Sequence, residues 1–109
     1  MPYKLIYSSI YNIEYSEILT DLSDYSSKTA INFKNELEQQ ISILTELPRL
    51  YPEYEYNYKI KLAPLRKMVV RNYSYIVFYN VSDDKKTVTL YDIVHTSRDV
   101  ERIVIKKFK

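Results

Sequence analysis

The sequence predicts an α+β fold: a short strand, a helical hairpin, and then a three-stranded antiparallel meander. Three observations carry this expectation. Apolar residues between 11 and 47 recur at helical spacing, those after Pro64 fall in short runs dense in β-branched and aromatic side chains, and a proline-bounded stretch divides the two patterns.

Tyr3 to Ser8 contains Leu5, Ile6 and Tyr7 and stops at Ser8-Ser9, which reads as a strand followed by a polar break. In the first helix Tyr11, Tyr15, Ile18, Leu22 and Tyr25 form one stripe, with Glu14, Glu17, Asp21 and Asp24 on the other faces. Ser26-Ser27 interrupts it, and either serine suits the cap of a second helix. That helix carries Ala30, Phe33, Leu37, Ile41, Leu44 and Leu47 and ends near Pro48. So short a link implies an antiparallel helical hairpin. From Pro48 to about Pro64 the pattern dissolves into a tyrosine-rich, irregular loop. Strands follow at Leu65 to Arg71, Tyr75 to Val81 and Thr87 to His95, the last two joined by the polar run Ser82 to Lys86 in a chain without glycine. The apolar set Val100, Ile103 and Val104 admits either a short C-terminal helix over Arg98 to Lys106 or a frayed tail.

At 109 residues one domain spanning 1–109 is expected, and an apolar share of 46% is enough to pack it without staples. The absence of cysteine excludes a disulfide framework, a thiolate nucleophile and thiolate zinc sites, and suits a reducing cytoplasm. No cofactor or metal site is expected. No signal-type stretch is read, and no window approaches the roughly 18 apolar residues of a membrane span, so a soluble cytoplasmic protein without a membrane partner is expected. Charge is lopsided. Residues 1–58 carry four Lys/Arg against nine Asp/Glu, whereas residues 59–109 carry twelve against five. Either the basic half meets an anionic partner, or the two halves mix their charges on one folded surface.

The run Arg66-Lys67-Met68-Val69-Val70-Arg71, then Tyr75-Ile76-Val77-Phe78-Tyr79, then Thr87-Val88 through Ile93-Val94-His95 and Arg98-Asp99, resembles the C-terminal half of RelE/ParE toxins. Tyr7-Ser8, Asp21-Leu22 and Ala30 to Phe33 resemble the N-terminal half more loosely. The resemblance implies the toxin of a bacterial type II toxin–antitoxin pair, held in a hetero-oligomer by a co-encoded antitoxin and arresting growth when released. It also implies one of two targets. RelE-like members cleave messenger RNA on the ribosome; ParE-like members lack that catalytic set and poison DNA gyrase.

Cleavage through the 2′-hydroxyl requires a proton acceptor, a proton donor and cations around the phosphorane. His95, the sole histidine, with Arg71 or Arg98, forms the candidate catalytic set should the protein be a ribonuclease. Arg66, Lys67, Arg98, Arg102, Lys106 and Lys107 are the candidate target-binding cations. Plainer roles stand beside these. His95 suits a hydrogen bond to the turn before Arg98, Arg98-Asp99 suits a helix start, and a regular strand puts Arg66 on the face opposite Lys67 and Arg71. Tyr11, Tyr15 and Tyr25 read as core-edge packing, while Tyr51, Tyr54, Tyr56 and Tyr58 read as contacts to a partner. The arginine of the RelE-like central strand aligns with Ile76, which favours a gyrase inhibitor over an mRNA endonuclease; a non-toxic interaction or nucleic-acid-binding domain of the same fold is the third reading.

Overall fold

The computed structural model describes residues 2–54 and 64–97. In chain order the elements are β1 (Lys4–Tyr7), α1 (Ser9–Tyr25), α2 (Ser27–Ile43), β2 (Arg66–Val69), β3 (Tyr75–Ser82) and β4 (Thr87–His95). The strands form a sheet in the order β1-β4-β3-β2. The meander is as expected, and β1 adds a fourth strand that runs parallel to β4, with Leu5 opposite Val88 and Tyr7 opposite Leu90. The C-terminal segment from Arg98 lies outside the described residues.

Two serines set the helical hairpin. Ser8 caps α1: its hydroxyl accepts from the Tyr11 N–H at 3.0 Å and donates to the Tyr91 carbonyl at 2.7 Å, tying the helix start to β4. Ser26 serves both helices, since its N–H bonds the Leu22 carbonyl at the end of α1 and its hydroxyl accepts from Thr29 N–H at the start of α2. An extended residue between two helices forces the sharp reversal.

The helical stripes meet one face of the sheet. Tyr11, Ile18, Phe33, Leu37, Ile41 and Leu44 pack against Met68, Val70, Val77, Tyr79, Val88, Leu90 and Ile93. Phe33 sets its edge against Tyr73 and Tyr75. Both stripes overrun at their ends. Tyr25, the last residue of α1, is 86% exposed where the chain turns away, and Leu47 is 55% exposed because α2 stops at Ile43 and a run of turns carries the chain off its axis.

The face away from the helices carries a smaller apolar cluster of Leu65, Ile76, Phe78 and Val94, with Tyr54 and Tyr91 against it. A bulge decides which β4 residues reach it. Tyr79 pairs with Leu90 but Phe78 with Asp92, leaving Tyr91 as the extra residue and reversing the alternation, so that Ile93 faces the helices and Asp92 and Val94 face away. Without glycine, left-handed backbone falls to Asn72 (φ 69°) before β3 and to Lys86 (φ 54°) closing the β3–β4 hairpin. The stretch after Pro48 is irregular as expected, except that Pro52 to Tyr54 runs along the β2 edge: Glu53 bridges Arg66, Tyr54 N–H donates to Leu65 and Lys67 N–H to Pro52.

Candidate functional site

The cations singled out in the sequence do not converge. Arg66 lies on the helix-facing side of β2, opposite Tyr79, and its guanidinium donates to the Tyr51 carbonyl at 2.7 Å. Lys67 is on the other side, opposite Phe78. Arg71 departs from the expected alternation, because β2 ends at Val69 and the chain turns through Val70 to Asn72. Its backbone N–H donates to Gln40 at 2.7 Å, and its guanidinium lies 3.5 Å from the Glu36 carboxylate on α2. Arg71 therefore belongs to the α2 rim and does not join Lys67. Arg98, Arg102, Lys106 and Lys107 lie outside the described residues, as do Tyr56 and Tyr58.

His95 closes β4 with its ring edge-on to Tyr75, centroids 5.2 Å apart. Its Nδ1 accepts from the Ser97 N–H at 3.0 Å, and the Ser97 hydroxyl is 2.7 Å away, so the neutral ring carries its proton on Nε2. This is the turn contact that the plainer reading expected. Among the described residues no hydrogen bond or ion pair links His95 to Arg71. The cavity beside His95, about 260 Å³, is lined by Glu14, Glu17 and Asp21 of α1 together with Tyr75. Carboxylates on that wall repel a phosphate rather than receive it.

The away-facing side of the sheet is equally poor in cations at its centre. Leu65, Ile76, Phe78 and Val94 form its apolar cluster, and Asp92, which pairs with Phe78, is fully buried. Lys67 lies at the edge of this cluster. Among the described residues no group of acidic and histidine side chains is arranged to hold a metal ion.

Two features escaped the sequence reading. Gln40, 3% exposed, bridges α2 to the β2 end and to Tyr51; its spacing of three from Leu37 was the available signal. The second is a cavity between β1 and the two helices, where Tyr11 stacks on Tyr15, Tyr7 lies tilted against Tyr11, and Glu38 joins the lining. Tyr11 and Tyr15 read as core-edge packing on the helical stripe and Tyr7 as part of the strand, and Tyr11 is indeed core. Burial first, and then the charge of Glu38, pushes the Tyr7 and Tyr15 hydroxyls above the usual phenol range. Tyr51 and Tyr54, expected to meet a partner, are half-buried within the chain, against the helix-side core and Phe78 respectively.

No helix among the described residues is long and apolar enough to cross a membrane. Among solved structures, the fold is similar to the isolated E. coli RelE toxin at 18% identity and TM-score 0.60, over 96% of this chain and 97% of that one. An arginine-substituted E. coli RelE in the free state matches at 19% identity and TM-score 0.64, covering 98% of each chain. The toxin fold in the intact E. coli RelBE toxin–antitoxin complex matches at 20% identity and TM-score 0.59, over 88% of this chain and 99% of that one. No curated protein sequence matches the chain. At the level of sequence families, residues 15–100 match the model of the ParE toxin of type II toxin–antitoxin systems. That match spans most of the chain and the helical hairpin and meander described above, and the chain belongs to the ParE toxin family.

Proposed function

We propose that this toxin arrests growth by binding DNA gyrase and is neutralised by a co-encoded antitoxin. The observation that carries the proposal is the chemistry of the sheet's away-facing side, where hydrocarbon and the buried Asp92 occupy central strand positions, with Ile76 where a nuclease of this fold would present an arginine. A phosphorane needs cations at close range in a fixed geometry. Arg66 and Arg71 are instead committed to Tyr51 and α2. Binding to a protein target makes no such demand, since it needs a packed, complementary contact surface rather than cations fixed around one phosphate. The basic residues Arg98, Arg102, Lys106 and Lys107 are proposed to contribute to that contact by charge.

The alternative, a ribosome-dependent mRNA endonuclease, keeps one observation in its favour: His95 is half-exposed, and nothing among the described residues bonds its Nε2. Gyrase supercoiling and transcript cleavage on translating ribosomes, measured for wild type, His95→Ala and Arg71→Ala, separate the two. Wild type is expected to inhibit supercoiling without cleaving transcripts, and His95→Ala to retain most of that inhibition. Ribosome-dependent cleavage lost on His95→Ala, with supercoiling untouched throughout, would assign the protein to the enzymatic branch; a nuclease loses on the order of a hundredfold or more when its proton-transfer group goes.

A further inference from the structure

The cavity between β1, α1 and α2 has no part in the gyrase reading. It measures about 240 Å³ and is lined by Tyr7, Tyr11, Asn12 and Tyr15 on one part of the chain and Leu37, Glu38 and Ile41 on α2. The rings form a continuous ladder, centroids 5.6 Å apart from Tyr7 to Tyr11 and 5.9 Å from Tyr11 to Tyr15. The Tyr15 hydroxyl oxygen is buried and has no hydrogen-bond partner, a state that buried polar atoms rarely keep. Tyr7 remains 44% exposed, so the ladder opens to solvent at that end.

We propose that this cavity receives an arginine side chain presented by a protein partner, and, resting on the reading of the chain as an antitoxin-bound toxin, that the arginine lies in the antitoxin segment that docks on the helical hairpin. The tyrosines, Glu38, Leu37 and Ile41 each match one part of such a side chain. A planar guanidinium is attracted to the electron-rich face of a tyrosine ring, and it carries enough N–H donors to reach a carboxylate and a phenol oxygen together. The aliphatic stem lies along Leu37 and Ile41. Charge points the same way, because the cavity sits in the acidic half of the chain and Glu38 lines both it and a neighbouring polar groove on α2. An apolar side chain would strip water from Glu38 without pairing it. A lysine ammonium, compact and strongly hydrated, would pair with Glu38 but stack poorly. The docking segment is thus basic at this point.

The test titrates the isotope-labelled full chain with N-acetyl-argininamide, its neutral citrulline analogue and N-acetyl-lysinamide, following tyrosine ring resonances by NMR. Saturable shifts confined to Tyr7, Tyr11 and Tyr15 are expected with argininamide. The citrulline analogue and Glu38→Gln are each expected to weaken binding by about tenfold, and Tyr7→Leu, which keeps the apolar volume but removes a ring, to weaken it as well. Diffuse shifts, or equal binding of the citrulline analogue, would overturn the proposal, and equal binding of lysinamide would overturn the choice of arginine. Each variant's spectrum reports its folding, and Tyr7→Leu stands in should Glu38→Gln not fold. Growth arrest by the wild-type chain alone is scored separately: arrest without argininamide binding sinks the arginine site, whereas binding without arrest sinks the toxin reading.

Discussion

Gln40 occupies a position on the buried stripe of α2 where an apolar residue would pack, and both ends of its amide are used. Its nitrogen donates to the Val69 carbonyl and the Tyr51 hydroxyl, each at 3.1 Å, and its oxygen accepts the Arg71 N–H at 2.7 Å. The Val69 carbonyl and the Arg71 N–H are backbone groups where β2 ends and turns toward β3. Gln40→Leu keeps the volume and strands those groups, so a loss of about 2–4 kcal/mol is expected in urea unfolding, from one to two unsatisfied buried polar groups. An unchanged unfolding midpoint would mean that water or a shifted backbone replaces the amide. Arg71 teaches the complementary lesson: strand alternation assigned it a face, but β2 ends at Val69 and the chain is already turning at Arg71, where Glu36 captures the guanidinium.

The two helices show where periodicity is informative and where it fails. Leu37 is 1% exposed and sits between the helices and the sheet, so Leu37→Ala should cost about 2–5 kcal/mol by thermal or chemical unfolding. Tyr25, on the same kind of stripe in α1, is 86% exposed, and Tyr25→Ala is expected to stay within about 0.5 kcal/mol. Comparable losses for the two would contradict the placement of the hairpin. A stripe identifies the face of a helix, while the depth of each residue depends on how far the sheet extends beneath it. The strands were legible because β-branched and aromatic runs are short and bounded, but the bulge at Tyr91 leaves no mark of its own, and no glycine flags it.

At the scale of the molecule, Asp83 joins three distant stretches of chain. The tip of the β3–β4 hairpin takes both nitrogens of Arg49, at 2.9 and 2.8 Å, and the Tyr3 hydroxyl at 2.6 Å, so the turn after α2, the N-terminal strand and the hairpin meet at one carboxylate. The Arg49 hydrogen bonds, and then that of Tyr3, hold the Asp83 carboxyl at about 2, below its ordinary 3.8. A carboxyl depressed on folding stabilises the native state above its unfolded value and loses that contribution as pH falls through the folded one. Asp83→Asn should therefore melt below wild type at neutral pH, by a small margin suited to an exposed pair, and the gap should close between about pH 4 and pH 2. A gap that persists to the acid end would place the effect in the turn's backbone rather than in the charge.

What the sequence by itself determined was the order and kind of the elements, the residues facing the core and the resemblance to RelE/ParE toxins. Those properties follow from near neighbours: the three-four spacing of the helices, the serines that cap them, and the density of β-branched residues after Pro64. Tertiary structure alone decided how β1 closes the sheet against β4, how the Tyr91 bulge buries Asp92, and that Arg66, Arg71 and His95 serve three separate neighbourhoods. It alone set Glu38 beside a run of three neighbouring tyrosines. A cation or carboxylate is read from the sequence as a charge, but the backbone path between elements decides what it faces, and that path is fixed by contacts far apart in the chain.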